Sequence, residues 1–358
     1  MLDRIILFPY SLTLASRRKR YLRKAQKAHV ATICLGNVTV GGTGKTPHTE
    51  MVLSMLRESG FQDKSLAVLS RGYKRRSRGF QQVLTTDSAS FAGDEPLQIK
   101  RKFPDVTVAV HKDRLEGCNL LKHSGKLYDK KYRRCIHKDM KPADIVVLDD
   151  ALQYIRLRGD LNIMLVDYNR PVDRDSLMPF GRLRDLPSRV QDADVVIVTK
   201  CPYELDEQSR EEWRRRLGLS DEAKLLFTTV EYCDLLPVYD STDTRYAYSK
   251  RAIIFSGIAA DRPFMRYLSD KFKIERRFHF PDHHRYRKGD IAELVTAMKA
   301  YPTAAVITTE KDAQRVLDCP WVPEELKTRL LYLPIKSSFL TEEEREEFRG
   351  ILSSLKLR

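Results

Sequence analysis

Residues Gly36–Pro47 read GNVTVGGTGKTP, between an apolar run (VATICL, 30–35) and a helical pattern. That strand–loop–helix context is what a phosphate-binding loop needs. Glycines at 41, 42 and 44 let the backbone curl until several N–H groups face one anion beside a helix N-terminus. In this reading Gly41, Gly42, Thr43 and Gly44 cradle the phosphates of ATP. Lys45 neutralises the β- and γ-phosphates, and the Thr46 hydroxyl binds Mg2+. The strict pattern has glycine six residues before the lysine, where this chain has Thr39; the neighbouring glycines compensate.

A phosphate loop also needs a carboxylate at the end of a buried strand to hold the metal's water shell. Ile145–Leu148 followed by Asp149 and Asp150 fits. Adjacent carboxylates leaving a strand point to opposite faces, so at least one reaches the metal. Two further segments stay open on spacing alone. GDEP (93–96) reads as a turn or a site, and DHH (282–284) as a metal-ligand pair or neither, with no other His or Cys at ligand spacing.

The elements that must position these residues alternate short apolar runs with helical patterns, the mark of an α/β fold with a largely parallel sheet. Strands are expected at Ala31–Cys34, Leu66–Ser70, Val106–Val110, Ile145–Leu148, Ile163–Val166, Val195–Thr199 and Leu225–Thr229. Helices are expected at Thr49–Ser59 and Gln208–Leu217. Near Val230–Asp240 the rhythm breaks into an extended connector. A second α/β series follows, with strands at Ala252–Phe255, Ala304–Thr308 and Leu330–Leu333 and helices at Pro263–Lys271 and Thr341–Leu355. This organisation predicts an N-terminal segment 1–28, a phosphate-loop domain 29–228 and a C-terminal α/β domain 229–358 that begins with the linker.

The 358 residues carry 64 basic against 49 acidic side chains, a formal charge of +15, which favours anionic partners without choosing among nucleic acid, lipid head groups and phosphorylated substrates. No two of the six cysteines lie at CxxC spacing; scattered thiols of this kind suit a reducing compartment. The apolar run Ile5–Ala15 is too short to span a bilayer and precedes most of its charges, Arg17, Arg18, Lys19, Arg20, Arg23, Lys24 and Lys27. That order argues against a secretory signal and for a helix lying in a membrane interface. Lys122–Lys141 is basic and lacks apolar periodicity, so it reads as a surface loop or insertion.

With these motifs in view, the chain resembles the tetraacyldisaccharide 4'-kinases. The resemblance rests on GNVTVGGTGKTP (36–47), SRGY (70–73), GDEP (93–96), LDDALQ (148–153), LMPFGRLRD (177–185), VTK (198–200), FSGIA (255–259), FPDHH (280–284) and TTEKDA (308–313), in order over most of the chain. It implies two α/β/α sandwich domains joined by a short β linker, with a catalytic cleft between them. The implied reaction passes the γ-phosphoryl of ATP to the 4'-hydroxyl of tetraacyldisaccharide 1-phosphate, giving lipid IVA in lipid A synthesis. It further implies peripheral attachment to the cytoplasmic face of a Gram-negative inner membrane.

The family's residues map onto Lys45, Thr46, Asp149 and Asp150 as above. Asp94 matches the carboxylate that assists deprotonation of the sugar hydroxyl, and His283 its partner. Gln153 falls at a cofactor-binding position, and Arg71 and Arg114 at substrate positions. Asp185 stands where the family usually has Glu, one methylene longer, which puts its reach in doubt. Ala151 and Tyr154 replace a common Gly and His. The expected partners are the lipid disaccharide and an anionic membrane surface, with no nucleic acid, and the protein is expected to be a monomer.

Two rival classes predict different behaviour. A nucleotide switch or maturation ATPase would dimerise with nucleotide and need no acceptor sugar. A basic nucleic-acid binder would show steeply salt-dependent binding, but the sequence holds no nucleic-acid motif.

Overall fold

The computed structural model describes residues 7–123 and 140–358. Its larger sheet grows from the apolar runs, most of whose residues are buried. The strands are β1 (Ala31–Gly36), β2 (Leu66–Ser70), β3 (Gln81–Val83), β4 (Thr107–Val110), β5 (Ile145–Leu148), β6 (Leu161–Asp167), β7 (Val195–Thr199) and β8 (Lys224–Tyr232). The second series gives β9 (Leu236–Pro237), β10 (Arg251–Ser256), β11 (Lys273–His279), β12 (Ala305–Thr309), β13 (Leu330–Leu333) and β14 (Ile335–Phe339).

Nine strands form one sheet in the order β14-β8-β7-β6-β1-β5-β2-β4-β3, and five form the other, β11-β10-β12-β13-β9. From β8 to β4 the first sheet is parallel, and only its outermost strands β14 and β3 run antiparallel. Central strand β1 pairs with β5 on one side and β6 on the other. Strands buried on both faces read as near-continuous apolar runs, as IVVL (β5) and the first four residues of VVIVT (β7) do. Parallel order puts the C-terminal ends of β1, β5 and β7 at one edge, where ligands of open α/β sheets bind.

The α/β class and the mostly parallel first sheet agree with the expectation. The boundary at residue 228 needs a correction at its far end. β14 returns to the first sheet and pairs with β8, Ile335 opposite Tyr232 and Phe339 opposite Thr228. The helix Glu342–Ser353 then buries Phe348 and Leu352 in the first unit's core. The link between the sheets is therefore a two-stranded ribbon crossed twice by the chain, closed beyond its end by Cys233 N–H donating to the Pro334 carbonyl at 3.0 Å. β14 (IKSSF) and β11 (KIERRFH) have too few apolar residues to declare themselves as strands. β11 sits at a sheet edge with much of its length exposed, where burial makes no demand on its sequence.

The N-terminal segment forms a helix, Phe8–Leu22. Leu7 and Leu14 pack on the core around Val38 and Val166, whereas Phe8, Tyr10 and Leu12 are exposed. Among the described residues no helix is long and apolar enough to cross a membrane. The five cysteines described are free thiols. Most of the basic segment 122–141 lies outside the described residues.

Candidate active site

The loop after β1 is held from three sides. Gly41 and Gly44 adopt φ of 109° and 83°, which a Cβ would strain. A Cβ built on Gly42 meets nothing within 4 Å, so the loop opens onto free space. The helix Lys45–Leu56 starts directly after Gly44, and no side chain caps it, leaving its first amides for an anion. Beneath the loop, Asn37 is buried and donates from Nδ2 to Thr43 Oγ1 at 2.7 Å and Thr39 Oγ1 at 3.2 Å. Thr39, standing where the strict pattern has glycine, thus anchors the loop.

At the end of β7, Thr199 Oγ1 donates to the Thr43 carbonyl at 3.0 Å. Lys200 Nζ donates to the Gly42 carbonyl and pairs with Asp167 Oδ2 at 2.6 Å. His48 is buried, and burial pushes its imidazole down to about 4. The neutral ring bonds the Gly44 carbonyl through Nδ1 at 2.7 Å and Thr228 Oγ1 through Nε2 at 2.9 Å. Through Thr228 the loop is tied to the ribbon between the sheets.

The acidic pair follows β5 as expected, and the two carboxyls differ sharply. Burial opposes ionisation of Asp150, but Lys45 (Nζ to Oδ1 3.8 Å) and Arg184 (Nη2 to Oδ1 3.1 Å) outweigh it and hold this carboxyl below its usual value. Asp149 is 1% exposed, and its Oδ1 has no hydrogen-bond partner among the described residues. Burial first, then the charges of Glu95 and Asp150, push it up to about 7. An orphaned buried carboxylate oxygen of this kind is costly and matches one ligand of a hard cation. No group of three or more His, Cys, Asp or Glu is placed to hold a metal among the described residues. The residues present therefore fit a cation that takes one or two carboxylates and keeps water and phosphate oxygens.

Near enough for Glu95 to act on Asp149 by its charge, the helix Asp94–Lys102 begins at Gly93, whose φ is 97°. Asp94 Oδ1 accepts from the Glu95 amide at 3.1 Å. Its Oδ2 accepts from His283 Nδ1 at 3.0 Å and from Arg315 Nε at 3.0 Å. Burial opposes ionisation of Asp94, but His283, Lys311 and Arg315 together hold it well below the usual carboxylate range. The structure thus brings Asp94 and His283 together across 189 residues of chain. Lys311 pairs with Glu95, and its charge acts on both Asp94 and Asp149.

The other expected residues divide. Arg114 is buried against the acidic pair, donating from Nη1 to the His111 carbonyl at 2.7 Å and lying 3.5 Å from the Asp150 carbonyl. Arg71 is exposed and close enough to Arg114 for their charges to oppose. Gln153 Nε2 donates to the Asn37 carbonyl at 3.4 Å, under the loop. Asp185 turns away: its carboxylate accepts from the Leu186 amide at 2.9 Å and pairs with Arg189 at 3.0 Å. The place beside Asp150 belongs to its neighbour Arg184, which also bonds Asn37 Oδ1 at 2.6 Å.

Sequence reasoning gave no role to Arg184, Lys200, Lys311 or Arg315, although all but Arg315 fall inside the quoted segments. Backbone strain marks part of the same site. Among the described residues four non-glycines have φ in the left-handed region, and Asp150, Lys200 and His283 are three of them. Such strain persists where the surroundings hold it, and it clusters at functional sites.

The family model for tetraacyldisaccharide-1-P 4'-kinase (LpxK) matches residues 4–354. A tetraacyldisaccharide 4'-kinase of Parabacteroides distasonis is 36% identical over 331 residues, 90% of this chain and 85% of its own. That of Flavobacterium johnsoniae is 33% identical over 349 residues, 95% and 94% of the two chains. A crystal structure of LpxK from Aquifex aeolicus in complex with ATP has a TM-score of 0.68 at 25% identity, covering 98% of this chain and 99% of that one. Taken with the phosphate loop, the acidic pair and the carboxylate–imidazole pair, these matches show that the chain belongs to the tetraacyldisaccharide-1-P 4'-kinase family.

Proposed function

We propose that this protein transfers the γ-phosphoryl group of ATP to the 4'-hydroxyl of a tetraacylated glucosamine disaccharide 1-phosphate, a step of lipid A synthesis. One observation carries the reading: a glycine-shaped anion cradle with Lys45 and an orphaned Asp149 carboxylate lies near enough to the Asp94–His283 pair for the charge of Lys311 to act on Asp149 and Asp94 alike.

Phosphoryl transfer through a loose transition state asks for alignment and charge neutralisation more than for covalent help. The amides of residues 41–46 and Lys45 hold the triphosphate, with Gln153 under the loop as a further cofactor-binding residue. Thr46, Asp149 and Asp150 are the residues that would hold Mg2+, which when bound spreads the developing charge of the β- and γ-oxygens. Asp94 accepts the hydrogen bond of the sugar hydroxyl and, late in transfer, its proton. Its depressed proton affinity makes it a weak base, so its main contribution is to aim the nucleophile. Arg71 and Arg114 supply positive charge on the substrate side; Asp185 is better read as a local partner of Arg189.

Both sides of the cleft come from one chain, which favours a monomer. The exposed Phe8, Tyr10 and Leu12, followed by the basic end of their helix, support binding at an anionic membrane surface such as the cytoplasmic face of an inner membrane. Removing residues 1–27 should release the protein from anionic vesicles; equal retention would place the anchor elsewhere. The activity itself is tested with ATP, Mg2+ and the disaccharide 1-phosphate lipid in mixed micelles, where a second phosphate on the lipid is expected. ATP hydrolysis unaffected by the lipid, with no phosphorylated product, would overturn the reading.

A further inference from the structure

FSGIA and TTEKDA carry no role in the mechanism above, yet the structure brings them together behind Asp94. The Gly257 amide donates to Asp312 Oδ2 at 2.9 Å. The Gly257 carbonyl accepts from Arg315 Nη1 at 2.8 Å and from the His283 amide at 3.2 Å. Asp312 is wholly buried, and its Oδ1 accepts from the Tyr286 hydroxyl at 2.9 Å and Arg315 Nη1 at 2.9 Å. One edge of the Arg315 guanidinium is thus fixed inside the second unit. The other edge, Nε and Nη2, bonds Asp94 Oδ2 in the first unit at 3.0 and 2.5 Å.

We propose that Arg315 is the positioning residue of the acceptor side: a guanidinium locked in one unit that grips Oδ2 of Asp94 in the other and so aims Oδ1 at the sugar hydroxyl. The inference rests on the reading of Asp94 given above. With Oδ2 taken by Arg315 and His283, the carboxylate cannot rotate freely. Oδ1, bonded among the described residues to the Glu95 amide alone, retains a lone pair for the substrate. A lysine could not do the same, because one ammonium cannot reach the Gly257 carbonyl, Asp312 and Asp94 in a fixed plane. Plain interdomain adhesion has other carriers nearby, Arg101 Nη1 with Gln314 Oε1 at 2.6 Å and Lys102 with Glu310 at 3.7 Å. Neither pair touches Asp94.

The test compares the full-length protein with its Arg315→Lys, Arg315→Ala and Gln314→Ala forms in the mixed-micelle assay. Both Arg315 variants should lose about 10²-fold in kcat, the cost of a misplaced reacting group, with KM for ATP changed less than twofold. Gln314→Ala should stay within about twofold of the parent. Millimolar guanidinium should restore at least part of the turnover of Arg315→Ala and none of Asp94→Ala. Parental kcat in Arg315→Lys, or equal losses in Gln314→Ala, would overturn the inference and leave the proposed activity standing. If the parent itself does not phosphorylate the lipid, the activity reading falls instead.

A second readout then judges Arg315 without turnover: the titration of Asp94 followed by carboxyl 13C NMR. The charged groups facing Asp94 are His283, Lys311 and Arg315, with Glu95 beside it paired to Lys311. The parent should stay ionised to the acid limit of the fold, and Arg315→Lys should titrate at higher pH. No movement in that variant would sink the proposal.

Discussion

The two sides of the site are built on opposite plans. The phosphate side is local. Asn37, Thr39, Gly41–Thr46, Asp149 and Asp150 leave neighbouring strands β1 and β5 of one sheet, and the sheet that forms them also aims them. The acceptor side is assembled. Asp94 begins a helix of the first unit, and its partners His283 and Arg315 arrive from the second, 189 and 221 residues away. It exists only while the units are in contact. The first side should therefore govern nucleotide binding by itself, and the second should govern turnover with little effect on binding.

The sharpest way to break that contrast is a pair of substitutions. Asp94→Ala should lower kcat by about 10²–10⁴-fold, the range for loss of a positioned proton acceptor, while ATP affinity measured by calorimetry stays near the parent's. Asp149→Asn should lower kcat by about 10²–10³-fold, comparable to loss of one preorganised electrostatic group. It should also raise the Mg2+ concentration needed for half-maximal rate. If Asp94→Ala weakens ATP binding as much as it weakens turnover, the two sides are not separable and the contrast fails.

The same contrast governs what could be read from the sequence. Local constellations declare themselves. The glycine loop and the apolar run ending in Asp149–Asp150 are each defined within a dozen residues, and β2, β5, β7 and β13 occur where their buried apolar runs place them. Asp94 and His283 reached the site only through the family resemblance, since no spacing rule joins residues so far apart. Arg315 lies just past TTEKDA, at a helical position where a basic residue normally reads as solvated surface, but its side chain is 7% exposed. β14 was hidden for the converse reason: its IKSSF sequence matches a ribbon edge, and a boundary drawn at residue 228 gave it to the wrong sheet. Asp185 shows that a position alone does not settle a role. One residue away, Arg184 has the reach to meet Asp150, and Asp185 is occupied with Arg189.

A smaller effect sharpens the phosphate side. Lys200 braces the loop from β7 by bonding the Gly42 carbonyl, and Asp167 holds its ammonium. Charge-assisted hydrogen bonds contribute about 1.5–3 kcal/mol, part of which is spent on holding the loop in shape. Lys200→Ala should raise KM for ATP roughly tenfold and leave the KM for the lipid unchanged. An equal rise in both constants would mean that Lys200 supports the whole cleft rather than the loop.

The smallest effect concerns the tie between the loop and the ribbon. His48 is neutral in the fold, with its proton affinity lowered by burial to about 4, against about 6.5 in an unfolded chain. Below pH 6.5 the unfolded chain binds a proton that the folded site refuses, so stability falls as pH drops from about 6.5 towards 4. Between pH 6.5 and 5.5 the loss attributable to this residue is roughly 1 kcal/mol. His48→Gln lacks the titrating group while keeping a polar side chain near Gly44 and Thr228, so its denaturation midpoint should fall less than the parent's over that interval. Asp149, pushed up to about 7, acts in the opposite sense: the folded state holds its proton more tightly, and stability from it is greatest at low pH and lost as pH rises towards 7. Because Asp149 is common to both proteins, the difference between parent and variant isolates His48. Parallel pH profiles would mean that His48 is not buried neutral, and that the loop and the ribbon are less tightly joined than their hydrogen bonds imply.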